Sequence, residues 1–69
     1  SRYAEAAGAY RAALNQRPDA AAWWAGLGIS LENVGRNQPA RRAYSEAVRR
    51  GGLGSALSEY VRERLQALE

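Results

Sequence analysis

An all-α fold of antiparallel helical hairpins is what this chain predicts, on three observations. The first is composition. Alanine dominates, with Arg, Leu and Glu next among the good helix formers, while the β-branched Val and Ile that favour strands are scarce. The second is spacing, because small and apolar residues recur three, four or seven apart, which places them on one helix face. The third is an internal repeat. Displaced against itself by 34 residues, the chain sets Ala6 on Ala40, Tyr10 on Tyr44, Ala13 on Ala47 and Leu14 on Val48. The match continues with Ala22 on Ala56, Leu27 on Val61 and Leu31 on Leu65. Size class and helical phase are both kept, which is the signature of a repeat architecture.

The elements follow in order. Helix one is expected over about residues 2–16, where Pro18 stops it and pushes the residue before it out of helical angles. Asp19 is the expected N-cap of helix two, over about residues 20–33. Gly35 supplies the left-handed angle that ends it. Helix three begins at Asn37 or Gln38, with Pro39 in its first turn where a missing N–H costs little, and ends at Gly51-Gly52. Ser55 is the expected cap of helix four, over about residues 56–68. Connections this short make neighbouring helices antiparallel. Gly28 and Ala40 give helices two and three the slim faces for close approach, and Trp24, Leu27, Leu31, Tyr44 and Val48 supply the apolar bulk.

These residues resemble the tetratricopeptide repeat family. The full repeat runs over residues 21–54, with Trp24-x-x-Leu27-Gly28-x-x-Leu31 on its first helix and Ala40, Tyr44 and Ala47 on its second. Residues 1–18 resemble the second helix of a preceding repeat, through Tyr3, Ala6, Tyr10, Ala13, Leu14 and the closing Pro18. Residues 55–69 resemble a capping helix. The resemblance covers nearly the whole chain, with three departures: Asn37 stands where an aromatic is usual, Gly52 where a second closing proline is usual, and Arg62 where helix four would carry a small residue. It implies a right-handed superhelical fragment. Helix four occupies the place of the next repeat's first helix, and Arg62 at the position of its small residue blocks another close-packed helix, so helix four is expected to cap the array near a natural C-terminus. Its apolar stripe is Leu57, Tyr60 or Val61, Leu65 and Leu68, and its other positions, including Arg64, are polar, as solenoid caps require. At the other end, Tyr3, Ala6, Tyr10 and Ala13 are expected to lie partly exposed where an upstream repeat belongs, or to be covered by self-association.

Composition excludes several functions. The chain of 69 residues is one small domain, and such a chain buries only about 60% of the surface of its unfolded form. It has no Cys and no His, so disulfides and the usual zinc, haem and iron–sulfur ligands are absent, and no cofactor or metal is expected. Nor is there a Lys. Seven carboxylates, mostly on solvent faces, form no acid–base pair, and Gly51-Gly52-Leu53-Gly54 follows no strand, so no enzyme is expected. No apolar run reaches the length of a membrane span. All ten basic residues are arginine, and with abundant alanine this is the usage of a GC-rich genome, which makes a bacterial source the expectation. The segment from Gly52-Leu53 through Leu57-Ser58-x-x-Val61-Arg62-x-Arg64-Leu65 is also similar to the ends of repeat proteins from pilus-biogenesis and secretion systems. A cytoplasmic or periplasmic location fits both.

The net charge of +3 raises the question of nucleic acid. Arg41, Arg42, Arg49 and Arg50 form the densest basic cluster, on helix three, where Glu46 stands four residues from both Arg42 and Arg50. A partly neutralised face of this kind reads as solvated, and nucleic acid is the second choice. Trp23-Trp24 reads as core packing rather than a stacking platform, with Trp23 turned towards helix one near Tyr10 or Leu14. In the family, first helices line a concave groove that takes a peptide or helix. The resemblance puts Ala22, Ala25, Ile29, Glu32 and Asn33 of helix two there, with Ala56, Glu59, Glu63 and Gln66 of helix four. The basic set that some relatives use to clamp a C-terminal carboxylate is missing, with Ala25 and Ile29 in its place. An apolar floor with an acidic flank suits an apolar, somewhat basic protein segment. The function expected is therefore a protein–protein interaction scaffold. The alternatives are a nucleic-acid module or a purely structural cap.

Overall fold

The computed structural model describes residues 1–69 as four α-helices with no strand: α1 Arg2–Gln16, α2 Ala21–Asn33, α3 Asn37–Arg50 and α4 Ser55–Ala67. α2 lies between α1 and α3, and α4 packs on α3. Each neighbouring pair is antiparallel. Leu14 of α1 meets Trp24 and Leu27 early in α2, while Tyr3 lies near Ser30 late in it. Trp24 in turn sits beside Arg50 at the end of α3.

The turns carry out the punctuation. Gly35, Gly51 and Gly52 take φ of 82°, 76° and 83°, a region that costs any residue with a Cβ. The Arg36 N–H returns to the Leu31 carbonyl at 2.9 Å and closes the α2–α3 turn. Two capping expectations are corrected. Ala20, not Asp19, is the N-cap of α2, and no side chain caps it. The cap position falls one residue later than expected, and the same turn is held by the Trp24 indole N–H, which donates to the Pro18 carbonyl at 2.8 Å. Ser55 lies inside α4, and Gly54 precedes it without a side-chain cap. A side-chain cap does occur at Ser1, whose hydroxyl accepts from the Ala4 N–H at 3.2 Å.

The core is built from small residues. Ala7, Ala25, Ala40, Ala43 and Ala47 are buried beside Leu14, Leu27, Leu31, Tyr44 and Val61. Backbones therefore come close at the centre. A Cβ on Gly28 would stand 2.6 Å from the Tyr44 ring, so the ring uses the space that glycine leaves. The same device recurs unforeseen between α1 and α2, where a Cβ on Gly26 would stand 2.3 Å from the Tyr10 ring. On α4 the apolar stripe runs through Val61, which is fully buried, while Tyr60 is 41% exposed. The tryptophans are at the margin of the core rather than in it. Both are half-buried against it, Trp23 turned to Tyr10 as expected and Trp24 over the α2–α3 edge.

Candidate functional site

The residues assigned to a groove separate into three environments. Ala25 is 1% exposed, which corrects its place among the contact residues. α2 is covered on both flanks by α1 and α3, and this position turns inward. Ala22 and Asn33 are exposed and Ile29 half-exposed. The Asn33 side-chain amide bonds back to the Ile29 carbonyl at 2.8 Å. Ile29 opens towards α1, sharing a depression with Tyr3, Ala6, Tyr10 and Gly26. Glu59 and Glu63 are exposed on α4, around a separate shallow depression with Arg62, Leu65 and Gln66.

Glu32 is the second correction. Its carboxylate does not form part of a free acidic flank. Arg64 of α4 grips it with two guanidinium nitrogens, Nε at 3.1 Å from Oε1 and Nη2 on Oε2. The Tyr44 hydroxyl donates to Oε1 at 2.9 Å. Arg64, expected on the outer polar face of α4, thus turns inward to α2. The Arg64 hydrogen bonds hold the Glu32 carboxyl below its ordinary range, against a partial opposing effect of burial, with the Tyr44 hydroxyl helping. Burial, then the neighbouring carboxylate, pushes the Tyr44 hydroxyl well above a normal phenol. This triad links three helices, α2, α3 and α4, and is the contact that ties α4 to α2 across α3. No periodicity reveals a bond between residues 32 apart in sequence.

The basic face is also rearranged. Glu46 pairs with Arg49 at 3.1 Å and Arg50 at 3.2 Å, rather than with Arg42. The hydrogen bond from Arg49, then that from Arg50, lowers the Glu46 carboxyl. Arg50 also lies over the Trp24 ring at 5.9 Å and Arg17 over Trp23 at 5.6 Å, within cation–π range. Arg41 and Arg42 have no carboxylate partner, and the Arg41 Nε is buried without an acceptor. The two line a cleft with Trp24, Gln38, Ser45 and Glu46. No cluster of acidic residues could hold a metal ion, and no helix is long and apolar enough to cross a membrane.

No family model matches the chain, and no curated protein or solved structure matches it significantly.

Proposed function

We propose that this chain is a tetratricopeptide-type interaction module, part of a bacterial assembly protein of the pilus or secretion kind, that takes a peptide or helix on the face shared by α2 and α4. The observation that carries this reading is the Glu32–Arg64 contact. It ties α4 to α2 near the ends of both helices, while Asn33 on one, and Glu59 and Glu63 on the other, stay exposed and Ile29 is half-buried on the α1 side. Glu59 and Glu63 form no ion pair within the chain. An occupant with an apolar anchor and basic flank would bury Ile29 and neutralise Glu59 and Glu63, using charge for selectivity and apolar area for affinity.

The test is fluorescence anisotropy with labelled apolar–basic peptides against the protein, its Ile29→Arg variant and its Glu59→Lys, Glu63→Lys double variant. Loss of binding in both variants supports the reading, and capture from lysate with the same set then names the partner. Binding indifferent to all three substitutions removes it. The unpartnered Arg41 and Arg42 beside Trp24 favour a second reading, phosphate or nucleic-acid recognition. That binding would fall steeply with salt, would be lost in Arg41→Ala, Arg42→Ala, and would survive Ile29→Arg.

A further inference from the structure

The first half of α3 holds donors that the chain does not use. Gln38, Arg41, Arg42 and Ser45 fall at i, i+3, i+4 and i+7, on one face of the helix. They open on the same cleft, with Glu46 at its rim and Trp24 of α2 as its one apolar wall. None of these four side chains makes a hydrogen bond or an ion pair within the chain.

α3 treats its arginines in two ways. Arg49 and Arg50, at its end, are spent on Glu46 at 3.1 and 3.2 Å, and Arg50 also lies over the Trp24 ring. Arg41 and Arg42 keep two uncompensated positive charges side by side. Arg41 is half-buried, and its Nε is out of water with no acceptor. A guanidinium constrained in this way loses less freedom on taking a ligand than one loose in solvent. Glu46 does not repel an anion from the cleft, because two guanidiniums already bracket its carboxylate.

The donor set selects the anion. Two guanidinium forks, a carboxamide and a hydroxyl offer more hydrogen bonds than the roughly four lone-pair sites of a carboxylate accept. A phosphate monoester brings three terminal oxygens and a charge of about −1.5 to −2 at neutral pH, which matches two arginines. A nucleic-acid backbone is instead a row of singly charged diesters and asks for cations along a track. Past the cleft the arginines of α3 are paired to Glu46, so no such track continues. The cleft also has length. From Gln38 to Ser45 the helix rises about 10 Å. Trp24, beside Arg50, closes the far end, and its indole N–H is spent on the Pro18 carbonyl, so it turns apolar ring surface to the cleft.

We infer that this cleft binds a small phosphate monoester carrying a flat aromatic ring, of the nucleoside monophosphate class. The phosphate sits on Arg41, Arg42 and Gln38, and the ring lies against Trp24 beyond Ser45, as bases stack on aromatic side chains elsewhere. The inference rests on the second reading above and narrows it from phosphate or nucleic acid to one compact dianion. It is independent of the peptide face on α2 and α4.

The probe is adenosine monophosphate, titrated into isotopically labelled protein and followed by chemical shifts. Saturable shifts are expected at Gln38, Arg41, Arg42 and Ser45 and at the Trp24 indole N–H. Ribose phosphate should move the α3 signals but not the indole, and should bind roughly tenfold more weakly for want of the stacked ring. Arg42→Gln, at an exposed position and with a good helix former, should weaken adenosine monophosphate roughly tenfold or more, with the α1 and α4 signals unmoved to show that the fold is intact. The Arg41→Gln, Arg42→Gln double variant should abolish binding. A short single-stranded oligonucleotide held through Arg41 and Arg42, with no binding of adenosine monophosphate, would overturn the inference and leave the broader phosphate reading standing. No binding of any phosphate-bearing probe would overturn both. Ribose phosphate bound as tightly as adenosine monophosphate would overturn it, since Trp24 would then contribute nothing, and so would binding indifferent to Arg42→Gln. Ile29→Arg should leave adenosine monophosphate binding unchanged whichever way the peptide reading falls.

Discussion

Gly28→Ala isolates the contact on which the α2–α3 pairing depends. In an ordinary helix the change stabilises by about 0.5–1 kcal/mol, because glycine loses more backbone freedom on folding. Here the added Cβ would stand 2.6 and 2.7 Å from Cδ1 and Cε1 of Tyr44 and 3.0 Å from Cγ. Comfortable carbon contacts are roughly 3.5–4 Å, so the ring or helix must move by about 1 Å. The ring has nowhere to go, being fully buried and held at its hydroxyl by Glu32. Overpacking of this kind costs about 1–3 kcal/mol, which leaves a net loss on the order of 1–2 kcal/mol after the helix gain. For a domain this small each kcal/mol is worth roughly 4–8 °C, so the thermal midpoint should fall by roughly 5–15 °C. The control is Gly8→Ala in the middle of α1, where a Cβ meets nothing within 4 Å. It should raise the midpoint by roughly 2–8 °C through the same propensity term. Both are read by circular dichroism at 222 nm, with a double-mutant cycle adding Tyr44→Leu. A Gly28→Ala protein as stable as the Gly8→Ala protein, or no coupling to Tyr44, would refute the argument.

Gly26→Ala should cost less than Gly28→Ala in the same melts, although its Cβ clash is nominally closer. Tyr10 is only half-buried and can swing outward, at the expense of exposing more of its ring. Glu32→Gln should destabilise at neutral pH and become indistinguishable from wild type in acid. The Glu32 carboxyl titrates lower in the folded chain than its ordinary 4.5, so its stabilisation is present above that value and is lost as pH falls through the folded pKa. Urea midpoints from pH 7 down to pH 2 follow this. Arg64→Met keeps the apolar stem but removes the grip on Glu32, and should speed amide exchange in α4 more than in α1. Uniform acceleration across all four helices would show that the contact does not act locally. Trp24→Phe removes the indole donor to Pro18 and should lower stability by about 0.5–1.5 kcal/mol, measured by urea unfolding.

Helix number, order and most boundaries were legible in the linear chain because they depend on local physics. Pro18 cannot continue a helix, Gly35 and Gly51 tolerate positive φ, and alanine-rich segments between them have no better conformation than a helix. Close packing at Gly28 was legible too, since glycine amid good helix formers is costly unless something occupies the space. The capping errors at Asp19 and Ser55 show the limit of that reasoning. A cap is a matter of one residue's backbone geometry, which spacing along the chain does not resolve.

The interaction surface was much less legible. Spacing along α2 puts Ala25 and Glu32 on the same stripe as Ile29, yet one is buried and another bonded to α4. Spacing along α3 likewise offers Glu46 to Arg42 as readily as to Arg50, and the rotamers choose Arg49 and Arg50. By itself the sequence determined that four short helices form, where they turn, and that the Ala-x-x-Ala-Tyr-x-x-Ala face is present twice. Only the tertiary structure decided that the α3 copy is fully buried and the α1 copy partly exposed beside Gly26, and that Arg64 reaches back to Glu32. Helix formation is set by interactions within a few residues, whereas which faces meet depends on where helices 32 residues apart come to rest.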